Sequence, residues 1–158
     1  MNKLYLLGII GLFGFLFFGQ SSTMPTAILQ VHNENPFNEV DGSVGGRCMG
    51  EKCLTVYVAP WCPACKSLRP TIIDMAKTLE DEGVDVKVII GKDTQQATEK
   101  YAASYPFPVL LDPSGEFFEK AQQRGVPFFM VSDREGKVVN NMAGGTTDVL
   151  AMRDMLKI

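Results

Sequence analysis

The sequence is poor in histidine and has no basic cluster. It contains one histidine in 158 residues, and its 15 lysines and arginines are outnumbered by 18 aspartates and glutamates. A nucleic-acid partner is not expected, because binding to phosphates needs clustered positive charge. The lone histidine, His32, lies in a polar stretch, so a copper-delivery site that depends on histidine is not expected either.

Cysteine is also absent from most of the chain. All four cysteines lie between residues 48 and 65, whereas a disulfide framework distributes its cysteines along a whole small domain. The cysteines therefore form a local device. Two of them, Cys62 and Cys65, are separated only by Pro63 and Ala64, and this spacing is typical of a redox-active pair.

This cysteine pair is predicted to lie where a strand passes into a helix. Residues 54–59 are mostly β-branched, aromatic or aliphatic, which predicts a buried strand. Pro63 suits the first turn of a helix, and apolar residues recur at helical spacing over 63–81. The helix N-terminus favours a thiolate at Cys62, and the thiolate is the form that attacks a disulfide. Cys65, one turn further along, is placed to resolve the mixed disulfide.

An uncharged apolar run lies near the N-terminus, over residues 4–19. It predicts that 1–21 is an export segment, with a cleaved signal peptide and an uncleaved membrane anchor as equal alternatives. Lys3 supplies positive charge only on the N-terminal side, so the domain is expected to face outward. The expected location is the periplasm or the extracytoplasmic face of a membrane, where disulfides persist.

The rest of the chain is predicted to comprise a linker and one domain. Residues 22–46 are polar and rich in turn residues, with a short strand over 27–31. The domain spans 47–158, and its strands alternate with helices, which favours an α/β fold with parallel strands. The further predicted elements are a strand over 84–90, a helix over 94–104 with Asp93 as N-cap, a strand over 109–111, a helix over 116–123, strands over 126–132 and 137–140, and a helix over 146–156.

Residues 53–157 resemble the thioredoxin fold. The resemblance implies an α/β domain with a central mixed β-sheet flanked by helices. It depends on a redox motif after the first strand, a proline within the following helix and a second proline before a final hairpin. The residues that carry it are Trp61-Cys62-Pro63-Ala64-Cys65, Lys66, Pro70 and Val126-Pro127.

A narrower resemblance indicates the activity. Residues 107–113, with the short helix after them, look like the insertion of the membrane-tethered TlpA/ResA-type thioredoxin-like proteins. This likeness implies a thiol-disulfide oxidoreductase in which Cys62 and Cys65 are catalytic and no dissociable cofactor is needed. It implies protein thiol or disulfide substrates and a membrane redox partner. Reduction of extracytoplasmic clients is the leading hypothesis, and a disulfide-forming oxidase and a binding module or holdase without redox turnover are the alternatives.

Val126 and Pro127 take their expected roles from the resemblance. An average X–Pro bond is cis only about 5–6% of the time, but in this family the corresponding proline is cis. The residue before it pairs by its backbone with the substrate, so Val126 is expected to bind a client as an added strand. Without the resemblance, Pro127 would simply begin an edge strand. Trp61, Pro63 and Ala64 are expected to shape the same docking surface.

Two positions depart from the thioredoxin pattern. Val56 lies six residues before Cys62, where many thioredoxins bury a proton-accepting aspartate. Leu68 lies three residues after Cys65, where some tethered relatives carry a glutamate. No base for Cys65 is therefore evident. The dipeptide between the cysteines also lacks the histidine of strongly oxidising relatives, so the direction of electron transfer stays open.

Cys48 and Cys53 flank a short turn, and their Cβ atoms are expected to meet across it. A structural disulfide is the leading interpretation, and a second redox pair that relays electrons to Cys62 and Cys65 is the alternative. The family resemblance supplies no counterpart. A metal site shared by all four cysteines is disfavoured and no metal is predicted, because a strand of about 20 Å separates Cys53 from Cys62.

Overall fold

The computed structural model describes residues 22–33 and 41–158. The predicted export segment, 1–21, lies outside the described residues. Within the described ranges, no helix combines the length and the apolar character needed to span a bilayer.

A mixed β-sheet forms the centre of the domain. The elements in chain order are β1 (Ala27–Ile28), β2 (Gln30–His32), β3 (Ser43–Val44), β4 (Lys52–Val58), α1 (Pro63–Asp81), β5 (Asp85–Gly91), α2 (Gln95–Ala102), β6 (Val109–Asp112), α3 (Glu116–Lys120), β7 (Phe128–Asp133), β8 (Val138–Ala143) and α4 (Val149–Leu156). Six strands join in the order β2-β6-β5-β4-β7-β8, and β1 pairs with β3. The strands β4, β5 and β6 are parallel, whereas β2, β7 and β8 are antiparallel to their neighbours. The predicted thioredoxin-like α/β fold is confirmed.

The sheet separates two apolar cores, because successive side chains of a strand point to opposite faces. We call them the first core, which packs against α1, α2 and α4, and the second core, which packs against α3. On β4, Val56 and Val58 lie in the first core and Tyr57 lies in the second. Cys62 and Cys65 belong to the first core.

The helices follow the sequence pattern with differences at several ends: α2 is shorter than the predicted 94–104, and α4 begins at Val149, three residues later than predicted. The helix α1 has the predicted bounds, 63–81. The prediction of Asp93 as the N-cap of α2 is wrong, because Thr94 occupies that position and its hydroxyl oxygen accepts a hydrogen bond from the Ala97 N–H at 3.2 Å. Asp93 instead accepts a hydrogen bond from the Thr94 N–H. The helix α3 ends earlier than predicted, and Gln122, just beyond it, has a left-handed backbone with φ 53°.

The segment predicted as a linker, 22–46, packs on the domain wherever the structure describes it. The predicted short strand appears as β1 and β2, and β2 pairs with β6 at the edge of the sheet. Met24 and Val44 are buried in the second core, and the Met24 N–H donates to the Gly136 carbonyl at 2.9 Å. The segment adheres because its apolar residues complete this core and its strand covers the edge of β6. Residues 34–40 lie outside the described ranges.

Candidate active site

Cys62 and Cys65 form a disulfide at the start of α1, with their Cα atoms 5.2 Å apart. Cys62 is the N-cap residue, and its Sγ accepts a hydrogen bond from the Cys65 N–H at 3.0 Å. Pro63 occupies the first helical turn, where its missing N–H costs nothing. When the disulfide is reduced, the Cys65 N–H and the helix dipole both stabilise a thiolate at Cys62.

The turn before β7 lies against the cysteine pair. The Val126–Pro127 peptide bond is cis, as the family resemblance implies. The Val126 carbonyl oxygen is 3.6 Å from Cys62 Sγ, although the two residues are 64 positions apart in the chain. Val126 is only half-buried, so part of this turn is open to a second polypeptide.

The other predicted docking residues surround Cys62 at the surface. Trp61 is 55% exposed, and Pro63 and Ala64 are exposed as well. Cys62 itself is only 3% exposed. A partner that reaches its sulfur must therefore also contact the residues around it, which gives these neighbours an opportunity to select the partner.

A residue that the sequence did not single out, Lys92, holds Trp61 in place. The Trp61 indole N–H donates to the Lys92 carbonyl at 2.8 Å. Lys92 has a left-handed backbone with φ 57°, and its ammonium group pairs with Glu119 at 3.0 Å and lies 4.1 Å from the centre of the Phe118 ring. Nothing in the local sequence marks this residue, because its contacts join three separate elements.

A buried hydrogen bond between Tyr57 and Asp112 supports the end of the sheet at which Trp61 lies. The Tyr57 hydroxyl donates to Asp112 Oδ2 at 2.8 Å, and the Phe118 N–H approaches the same oxygen at 3.3 Å. Burial, followed by the neighbouring Asp112 carboxylate, raises the pKa of Tyr57 above its ordinary value. The Asp112 carbonyl also accepts the Lys92 N–H at 3.2 Å, so this pair braces the loop that contacts Trp61.

Cys65 lies in apolar surroundings. It is fully buried, and Val56 and Leu68, the two positions where relatives carry acids, are buried beside it in the first core. As the sequence predicts, neither position carries a carboxylate, and both side chains there are hydrocarbon. Such surroundings favour the neutral thiol of reduced Cys65 over its thiolate.

Cys48 and Cys53 form the other disulfide, with Cα atoms 5.7 Å apart. Cys53 lies at the beginning of β4, whereas Cys62 follows the end of this strand, which is seven residues long. The strand alone separates the two disulfides by about 20 Å at the usual rise per residue. Direct exchange between the two pairs of one molecule, and a metal ion shared by all four sulfurs, are therefore incompatible with this arrangement.

The chain is similar to known proteins in sequence. The profile of the family described as Redoxin matches residues 24–156. The thiol-disulfide oxidoreductase ResA of Bacillus thuringiensis subsp. konkukian (strain 97-27) is 25% identical over 100 residues, which cover 62% of this chain and 58% of ResA. The chain thus spans less than two thirds of the length of this curated relative.

Solved structures show the same fold. The pneumococcal exposed lipoprotein thioredoxin Etrx1 of Streptococcus pneumoniae strain TIGR4 superposes with a TM-score of 0.59 at 26% identity, over 69% of this chain and 85% of Etrx1. StoA of Bacillus subtilis superposes with a TM-score of 0.61 at 19% identity, over 78% of this chain and 91% of StoA. The second likeness concerns the fold alone.

Proposed function

Because the chain belongs to the redoxin family, we propose that it is a thiol-disulfide oxidoreductase whose reacting groups are Cys62 and Cys65. The observation that carries the proposal is a cysteine pair that caps a helix and lies 3.6 Å from the carbonyl oxygen of Val126. A thiolate at a helix N-terminus, next to an open backbone carbonyl, is suited to exchange with a disulfide in an extended chain.

In the reductive direction, the Cys62 thiolate attacks one sulfur of the client disulfide. A bond forms between Cys62 Sγ and that sulfur, and the other client sulfur leaves as a thiolate that takes a proton from solvent. Val126 holds the client by its backbone during this step, as an added strand. Trp61, Pro63 and Ala64 form the surface on which the client lies.

Cys65 completes the transfer. Its thiol loses a proton and attacks Cys62 Sγ, which releases the second client sulfur and forms the Cys62–Cys65 disulfide. The client has then gained two electrons and two protons, and the protein holds the oxidised pair. Because Val56 and Leu68 supply no base, water or the departing client thiolate takes the Cys65 proton.

We further propose that the clients are extracytoplasmic proteins and that a membrane redox partner returns the electrons. The resemblance of residues 107–113 to the insertion of the membrane-tethered TlpA/ResA-type proteins is what favours the reductive direction. The uncharged run over 4–19 with Lys3 before it supports export, and 1–21 is either removed or retained as an anchor. A protein that forms disulfides instead is the second candidate, since the electron transfer runs in either direction according to the reduction potential.

The first experiment compares insulin reduction by the wild-type protein with that by Cys62→Ser and Cys65→Ser. Cys62→Ser is expected to abolish turnover, and Cys65→Ser is expected to accumulate a mixed disulfide that mass spectrometry detects. The double variant Cys48→Ser/Cys53→Ser is the matched control and is expected to retain turnover. If the wild type reduces no insulin and Cys62→Ser still binds clients, the enzyme proposal is contradicted and the protein is a holdase.

The direction follows from the reduction potential of the Cys62–Cys65 pair, measured in glutathione and dithiothreitol buffers with alkylation and peptide mass analysis. A value of about −270 mV supports the reductase, and a value of about −120 mV supports the oxidase.

A further inference from the structure

We propose that Asp85 protects the Cys48–Cys53 disulfide from attacking thiolates. This pair therefore remains a structural disulfide while the Cys62–Cys65 pair undergoes thiol-disulfide exchange. The proposal concerns a site separate from the Cys62–Cys65 pair. Its test does not depend on the proposed oxidoreductase activity.

The Asp85 carboxylate lies directly against this disulfide. Its Oδ2 is 3.4 Å from Cys53 Sγ, because β5 pairs in parallel with β4 and places Asp85 opposite Cys53. Potential ligand atoms of Cys48, Cys53 and Asp85 lie within 4.8 Å of one another. Since the two sulfurs are bonded to each other, the carboxylate acts here as a fixed negative charge and not as one member of a metal site.

The two cysteine residues differ in exposure to solvent. Cys48 is 4% exposed, whereas Cys53 is half-buried, and both line a small cavity of about 20 Å³ together with Asp85. A thiolate from solvent therefore meets Cys53 first. Attack there would form a bond between the incoming sulfur and Cys53 Sγ and would release Cys48 as a thiolate.

Asp85 opposes attack on either sulfur. A thiolate that approaches Cys53 brings a second negative charge close to the carboxylate, and like charges at this separation repel each other. Attack on Cys48 would instead create a thiolate on Cys53, next to the same carboxylate. Both routes to the mixed disulfide therefore have a higher barrier than at an uncharged site.

Two cations also line the cavity, Arg47 and Lys87. The Lys87 ammonium is engaged by the Ser43 carbonyl at 2.6 Å. Asp85 is the charge in direct contact with a sulfur, and Coulomb energies fall with distance and with screening by solvent. The carboxylate therefore dominates at Cys53.

The intact Cys48–Cys53 disulfide links the connection after β3 to β4. Cys48 follows β3, whose Val44 is buried in the second core, and the Cys48 N–H donates to the Arg134 carbonyl at 3.0 Å. The disulfide joins this connection to β4 across a separation of only five residues. Its reduction would remove the covalent link between this connection and β4.

The experiment measures the rate at which the Cys48–Cys53 disulfide is reduced by an anionic thiol, mercaptoethanesulfonate, and by a cationic thiol, cysteamine. Alkylation and peptide mass analysis separate this disulfide from the other one. In Asp85→Asn, the rate with the anionic thiol at low salt is expected to rise about tenfold, which corresponds to a barrier lower by about 1.4 kcal/mol. The rate with cysteamine is expected to stay level or to fall, and about 1 M salt is expected to reduce the contrast.

The matched control is Asp81→Asn, which removes an exposed carboxylate at the end of α1. It is expected to leave both rates unchanged. If Asp85→Asn raises the rate of reduction equally with both thiols, the packing has loosened. If it raises neither rate, the charge has no effect. Either result overturns the proposal. If Asp85→Asn does not fold, the wild type provides the test, because its Cys48–Cys53 pair must favour cysteamine over the anionic thiol more strongly than its Cys62–Cys65 pair does.

Discussion

Removal of a single oxygen atom by Tyr57→Phe is expected to destabilise the domain by about 2 kcal/mol. Tyr57 is fully buried and Asp112 is 2% exposed, and their hydrogen bond of 2.8 Å joins a hydroxyl to a carboxylate. Hydrogen bonds to charged groups contribute about 1.5–3 kcal/mol. The lower half of this range applies, because the Phe118 N–H at 3.3 Å still solvates Asp112 Oδ2 in the variant.

The assay is urea unfolding followed by far-UV circular dichroism, with the slope of the transition compared between proteins. In a separate thermal melt, a loss of about 2 kcal/mol in the free energy of unfolding lowers the melting temperature by about 6 °C for a domain of this size. An unchanged slope would show that the variant unfolds from the same compact state. A double-mutant cycle with Asp112→Asn then isolates the coupling between the two side chains.

Tyr101→Phe is the matched control for this prediction. The Tyr101 hydroxyl is buried, and among the described residues it has no hydrogen-bond partner. The same loss of one oxygen is therefore expected to cost little there or to stabilise the protein, since it removes an unsatisfied polar group. A cost for Tyr57→Phe below about 0.5 kcal/mol, or one equal to that of Tyr101→Phe, would refute the assignment of the stability to the Tyr57 hydrogen bond.

Two further changes test the packing around the sheet. The Arg153 guanidinium, which hydrogen-bonds to Glu82 at 2.8 and 2.5 Å, holds the pKa of Glu82 below its usual range. The stabilisation is therefore present above the ordinary glutamate pKa and is lost as the pH falls through the lowered value. Glu82→Gln is expected to lower the urea midpoint at pH 7 and to approach the wild type as the pH falls below the lowered pKa of Glu82; a difference that stays constant with pH would contradict this. Gly91→Ala is expected to lower the free energy of unfolding by about 3 kcal/mol, because a Cβ there would collide with the Tyr57 hydroxyl. Gly125→Ala is the control and is expected to lower it little, because the space around Gly125 is open. Similar losses in thermal melts of the two variants would show that Gly91 is not sterically constrained.

The cysteine chemistry could be read from the sequence because it depends on short-range spacing. The two-residue spacing of Cys62 and Cys65 and the apolar period over 63–81 define a helix that starts at a cysteine, whatever the rest of the chain does. The strand before this helix follows from a local run of β-branched and aromatic residues. The cis bond at Pro127 was expected only through the family resemblance, since an isolated X–Pro bond favours trans.

The extent of the domain was less accessible to the sequence. A polar, turn-rich composition predicted that 22–46 is a linker, but its few apolar residues determine where it lies. Met24 and Val44 complete a core whose other walls come from distant strands and from α3. Composition averages over a segment, whereas burial depends on individual side chains and on the surface that the rest of the fold offers them.

The sequence by itself determined the redox motif, the helix that presents it, the alternation of strands and helices and the absence of acids at positions 56 and 68. Only the tertiary structure decided which residues surround the two disulfides. Lys92 supports Trp61 from 31 positions away, and Asp85 lies against Cys53 across 32 positions. These contacts arise from the pairing of strands and the course of loops, and no local pattern encodes them, because hydrogen bonds and charges act through space and the fold alone sets those distances.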